Sequence, residues 1–75
     1  MRMQTPPENQ GKMVAVSYGW SDGSLYKRVY DASDRSESWY VCDDESAQEI
    51  PEEWDAANGE PPIENEIWTE CAKPE

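Results

Sequence analysis

The dipeptide Asp22-Gly23 sits between two runs of alternating side chains in KMVAVSYGWSDGSLYKRVYDA, and no other stretch constrains the fold of this chain as tightly. A two-residue type I′ turn demands positive φ at both central positions, and Asp-Gly is among the few pairs that tolerate it. With these residues as the loop, Ser21 pairs with Ser24, Trp20 with Leu25, Tyr18 with Lys27 and Val16 with Val29. Strand side chains alternate between faces. One face therefore carries Val14, Val16, Tyr18, Trp20, Leu25 and Val29, the predicted core, and the other carries Ala15, Ser17, Gly19, Tyr26, Arg28 and Tyr30.

The rest of the chain extends this hairpin. After the polar loop DASDRSES, the run SWYVC predicts a third strand that turns back on the hairpin. PEEWDAANG has Pro51 at a first helical position, Glu52 and Glu53 in the first turn and Asn-Gly as a stop, so it predicts a short helix. Ser46 to Glu49 also fits a capping box, with Pro51 following too closely for a long helix. Residues 66–71 predict a last strand. The expected fold is α+β, mainly β: a small antiparallel sheet of three or four strands with one short helix. MRMQTPPENQG lacks any apolar period and predicts a flexible arm over residues 1–11, ahead of a single domain over 12–72 and a frayed tail over 73–75. With 75 residues and no Phe, the one small core must draw on Val, Ile, Leu, four Trp and four Tyr.

Charge separates the two halves. Residues 1–35 hold five basic residues against four acidic ones, whereas residues 36–72 hold twelve acidic residues and no basic one, within a net charge of −11. A field of this sign steers in a basic partner. It repels nucleic acid, whose phosphates are bound by Lys and Arg, and anionic membrane surfaces for the same reason. No apolar run approaches the ~20 residues that span a bilayer. MRMQTPPENQGKM lacks the apolar centre of a signal peptide, which leads to the expectation of a cytoplasmic protein. Cys42 and Cys71, each ending a Trp-x-x-Cys (WYVC and WTEC), are then expected as reduced thiols.

Catalytic and metal chemistry find little support. The chain has no His, so Ser-His-Asp and Cys-His arrangements are absent, and zinc lacks both His and a Cys-x-x-Cys. Paired carboxylates could in principle hydrolyse glycosides, but a domain this small can hardly build the cleft that desolvates one of them. DASDRSE resembles the start of a calcium loop, with oxygens at Asp31, Ser33 and Glu37; Arg35 and Ser36 then stand where an oxygen ligand and a Gly are required. CDDE reads as a solvated loop. No enzyme activity, metal or cofactor is expected.

Two constellations remain. Asp43, Asp44, Glu45, Glu49, Glu52, Glu53, Asp55, Glu60, Glu64 and Glu66, with Glu70 beyond them, could line a charged ridge. Carboxylates on alternate strand residues recur every ~6–7 Å and so approach the spacing of a phosphate backbone. Acidic, Pro-rich segments often stay disordered, but Ile50, Trp54, Ile63, Ile67 and Trp68 are costly to leave in water and argue that this half folds. The second constellation is Tyr26-Arg28-Tyr30, rigid aromatics around a planar donor, of the kind that dominates binding interfaces. In size, charge and lack of catalytic residues the whole chain resembles the small acidic inhibitors that phages encode against host machinery, DNA mimics and anti-CRISPR proteins among them. That resemblance implies a non-enzymatic protein blocking the basic, nucleic-acid-binding surface of another protein. The alternative is a small structural or accessory subunit of a phage or bacterial assembly that binds through its exposed aromatics, with the charge serving solubility.

Overall fold

The computed structural model describes residues 3–63 and 67–74. Strands β1 (Val14–Ser21), β2 (Ser24–Asp31), β3 (Ser36–Cys42) and β4 (Trp68–Cys71) form a four-stranded antiparallel meander in the order β1-β2-β3-β4. The connection from β3 to β4 contains the helix α1 (Asp44–Gln48) and a 3₁₀ turn, Ala56–Asn58; a second 3₁₀ turn, Pro7–Asn9, precedes β1. The fold is mainly β, with one short helix, as the alternation and turn signals predict.

The hairpin forms in the expected register, Ser21 opposite Ser24 and Val16 opposite Val29. Asp22 and Gly23 have φ of 50° and 79°, the two left-handed conformations of a type I′ turn. Between β2 and β3, Asp31 accepts hydrogen bonds from the backbone N–H and hydroxyl of Ser33, at 2.9 and 2.6 Å, and Asp34 accepts from the Ser36 N–H at 2.9 Å. The Ser36 side chain, followed by its backbone N–H, holds the Asp34 carboxyl below the usual carboxylate range. β3 and β4 pair so that the two Trp-x-x-Cys segments cross: Trp39 lies opposite Cys71, and Cys42 opposite Trp68.

One sheet face is covered by the β3–β4 connection. Tyr18, Leu25 and Cys42 from the sheet meet Ala56 from the connection, and Val16, Ala47, Ile50, Trp54, Ile63 and Trp68 pack around them. The Tyr18 ring meets Trp54 edge-on and Trp68 at a tilt, each at a centroid distance of 6.1 Å. Such pairs add about 0.5–1.5 kcal/mol each beyond the area they bury. Lys27 shares this face and lays its ammonium 4.6 Å from the Trp68 ring centre and 5.2 Å from that of Tyr40.

Three expectations need correction. The helix is not PEEWDAANG but Asp44–Gln48, capped by Asp43, whose carboxylate accepts from the Glu45 N–H. Pro51 cannot donate to a helix and disfavours helical geometry at Ile50; the chain turns there and re-forms only one 3₁₀ turn, capped by Asp55. Residues 3–11 are docked rather than a loose arm: Gln4 exchanges two backbone hydrogen bonds with Tyr18, Thr5 shares a 2.7 Å hydrogen bond with the buried Ser17 hydroxyl, and Pro6 is fully buried. A polar, aperiodic segment can pair at a sheet edge without an apolar pattern of its own. Trp20 and Val14 lie on the core side but are 45% and 47% exposed, because the connection covers the centre of the hairpin and not its ends.

Gly23→Val is expected to destabilise the domain by about 1–3 kcal/mol in urea unfolding, since a β-branched residue resists positive φ. Thr5→Val, nearly isosteric, takes away the hydroxyl that pairs with buried Ser17 and is expected to cost about 1–3 kcal/mol. An unchanged midpoint for Thr5→Val would mean that the segment is loose after all.

Candidate protein-interaction site

The acidic half is held by short-range devices that point its carboxylates outward. Asp43 caps α1, and its own N–H donates to the Ile67 carbonyl at 2.9 Å, tying the start of the connection to its end. Asp44 and Glu45 occupy the first turn of α1, where the helix dipole favours negative charge. The Ile50 N–H reaches the Ala47 carbonyl at 3.2 Å and the Trp54 N–H reaches that of Pro51 at 3.1 Å, and between them Glu52 and Glu53 turn out into solvent. Asp55 caps the 3₁₀ turn by accepting from the Ala57 N–H at 3.0 Å. Gly59 follows with φ of 112°, close enough to the Glu8 carboxylate that a Cβ would stand 2.9 Å from its Oε1.

Ala47, Ile50, Trp54 and Ile63 face the core between these turns. Asp43, Asp44, Glu45, Glu49, Glu52, Glu53, Asp55 and Glu60 are all exposed, as is Glu70 on β4. Glu64 and Glu66 lie outside the described residues. Among the described residues the only ion pair is Arg28–Glu37, so none of the exposed acids of the connection is neutralised by a cation. Along the described part of the connection, a five-residue helix followed by turns supplies no regular helical or strand repeat to space these acids. They decorate a folded-back connection.

Tyr26, Arg28 and Tyr30 do share the opposite sheet face, each half-buried. The Arg28 guanidinium lies 5.2 Å from the Tyr30 ring centre and 3.1 Å from Glu37, which also accepts a hydrogen bond from the Trp39 indole N–H. The Trp39 N–H, with the charges of Arg28 and Lys73 adding to it against desolvation, holds the Glu37 carboxyl below the usual glutamate range. Met3, Lys73 and Pro74 border Trp39, forming with Arg28 and Glu37 a groove of about 370 Å³. Trp39 and Glu37 belong to this cluster as much as Arg28 does. They escape a reading of the hairpin alone, because only the β2–β3 register sets Trp39 opposite Arg28 and Glu37 opposite Tyr30.

The cysteines cannot bridge within the chain. Cys42 faces the core beside Leu25, while Cys71, opposite Trp39, faces the other side of the sheet. Their positions are three residues out of register, about 10 Å along the strand at 3.3 Å per residue, beyond the roughly 7 Å limit for disulfide Cα atoms. Burial, and then the charge of Glu70, push the Cys71 thiol up, so it is a poor nucleophile at neutral pH. Among the described residues no group of acidic and thiol side chains is placed to hold a metal ion, and no helix is long and apolar enough to cross a membrane.

Two measurements check these assignments. The mass and unfolding midpoint are expected to be the same with and without reductant. Glu37 has a lowered folded pKa, so its contribution to stability is present above the unfolded value near 4.5 and is lost as pH falls through the lower folded value. Glu37→Gln is therefore expected to flatten part of the acid limb of the stability profile, and an acid limb identical to that of the parent chain would show that the cluster contributes nothing.

Comparison with known protein families, with curated proteins and with solved structures finds no match to this chain.

Proposed function

We propose that this is a non-enzymatic acidic interaction protein that occupies the basic, nucleic-acid-binding surface of a partner protein, in the manner of small phage-encoded inhibitors such as DNA mimics and anti-CRISPR proteins. One observation carries this reading: the acids from Asp43 to Glu60 are exposed and without cationic partners, on a connection pinned to the sheet by Trp54, Ile50 and Ile63. A charge that served only solubility would need no such fixing. Held in place, it forms a surface whose self-repulsion a basic partner relieves, so association is fast and electrostatically steered. Such a partner acts in the cytoplasm of the host cell.

The alternative, an assembly subunit docking through Tyr26, Arg28 and Tyr30, has a weaker footing. Arg28 is already engaged by Glu37 and Tyr30, and binding through it would have to displace one of them.

Salt separates the two readings. A host-lysate pull-down at about 50 mM and about 200 mM salt is expected to lose the specific partner at the higher concentration, where contacts between exposed charges weaken steeply. Glu52, Glu53 and Glu60 all reversed to Lys are expected to abolish capture with the fold intact. Asp43 and Asp55 are unsuitable for reversal, because each caps a turn. Capture that survives both salt and reversal but fails in Tyr26→Ala/Tyr30→Ala would overturn the mimicry reading in favour of the aromatic one.

A further inference from the structure

We infer that Trp20 is the anchor of the acidic surface, a platform that takes an arginine side chain from the partner; this rests on the reading of the chain as a binder of basic surfaces. Of the four tryptophans, three have a ring or cation partner within the chain, although the buried Trp54 indole N–H has no hydrogen-bond partner among the described residues. Trp54 meets the Tyr18 ring, Trp68 lies under Lys27, and Trp39 has the Lys73 ammonium 6.0 Å from its ring centre. Trp20 has no ring or cation partner among the described residues and is 45% exposed.

Two grooves flank it. One, of about 320 Å³, is lined by Trp20 with Gln4, Trp54 and Asp55; the other, of about 270 Å³, by Trp20 with Asp44, Ala47 and Gln48. Each groove carries one carboxylate and no cation, so Trp20 is an electron-rich ring between two counter-charges. A cation over an indole is among the stronger contacts a half-exposed ring can make. Arginine fits better than lysine, because its planar guanidinium stacks on the ring while its edge donors reach carboxylates or amide oxygens to either side. The position also suits an anchor: Trp20 stands on β1 one residue before the rigid type I′ turn, so its backbone is already ordered before any partner arrives.

The test uses the full chain labelled with ¹⁵N, with the four indole N–H signals assigned through Trp20→Phe. The probe is acetyl-Gly-Arg-Gly-Arg-Gly-amide, alongside its lysine and citrulline counterparts. The arginine peptide is expected to move the Trp20 signal saturably, the lysine peptide to bind more weakly and the neutral citrulline peptide to leave it in place. Trp20→Ala is expected to weaken the arginine peptide roughly 2- to 30-fold. Asp44→Asn/Asp55→Asn, which keeps a capping side chain at residue 55, should weaken it as well and serves if Trp20→Ala does not fold. A stationary Trp20 signal with equal affinity for Trp20→Ala overturns the anchor while leaving the broader acidic-surface reading intact. A moving Trp20 signal with affinity indifferent to the Glu52/Glu53/Glu60 reversal keeps the anchor and overturns the broader surface. Absence of any shift with the arginine peptide at low salt overturns both.

Discussion

The contact between Tyr18 and the two tryptophans, Trp54 and Trp68, is what the rest of the molecule hangs on. Tyr18 lies in the middle of β1, at the edge of the meander, while Trp54 and Trp68 come from within and beyond the long connection. Without that meeting the sheet would be a bare meander with one apolar face in water, and the connection a run of turns too short to hold themselves. With it, Ala47, Ile50, Ala56 and Ile63 find a surface, the caps at Asp43 and Asp55 have fixed ends to cap, and the acids between them acquire definite positions.

How much of this is legible in the sequence depends on how local each determinant is. The hairpin is readable to the residue because Asp22-Gly23 and the flanking alternation agree, and both act over a few positions. The helix is misplaced for an equally local reason. PEEWDAANG carries helix start and stop signals, but it must also place Trp54 against Tyr18, and the turns at 51–55 do so where a continuous helix does not. Asp43, the cap that forms, lies just past a strand end, and its use depends on the β3–β4 register. Docking of residues 3–11 leaves no periodic apolar trace, since it rests on backbone pairing at Gln4, a hydroxyl pair at Thr5 and the single buried Pro6. For the candidate site, the exposed acids are legible from composition and the Tyr26-Arg28-Tyr30 stripe from alternation. Trp39, Glu37 and the isolation of Trp20 are not, because each is a statement about neighbours distant in sequence.

The cations show a division of labour that a net charge conceals. Lys27 lies over Trp68 and Tyr40, Arg28 over Tyr30 beside Glu37, and Lys73 near Trp39. Half of the chain's six basic residues thus serve aromatic rings, and only one of these three also meets a carboxylate. The acidic connection is left uncompensated in part because the nearby positive charges are held by the sheet.

Magnitudes explain why such a connection folds at all. Two exposed carboxylates about 10 Å apart repel by roughly 0.4 kcal/mol in water, and less in physiological salt, whose Debye length is about 8 Å. Burying even half of a tryptophan's ~150–250 Å² contributes about 2–3 kcal/mol at 25 cal/mol per Å². One indole therefore offsets several like-charge pairs, provided that the acids stay in solvent and the apolar residues alternate with them. Ile50, Glu52, Glu53, Trp54, Asp55 and Ala56 follow that order along the chain, with the apolar members turned inward and the acids out. The repulsion that remains is small per pair but shared across the whole surface. It is felt most at low ionic strength, the same condition under which attraction to a basic surface is strongest, so the strain in the free protein and the pull on a partner have a common origin.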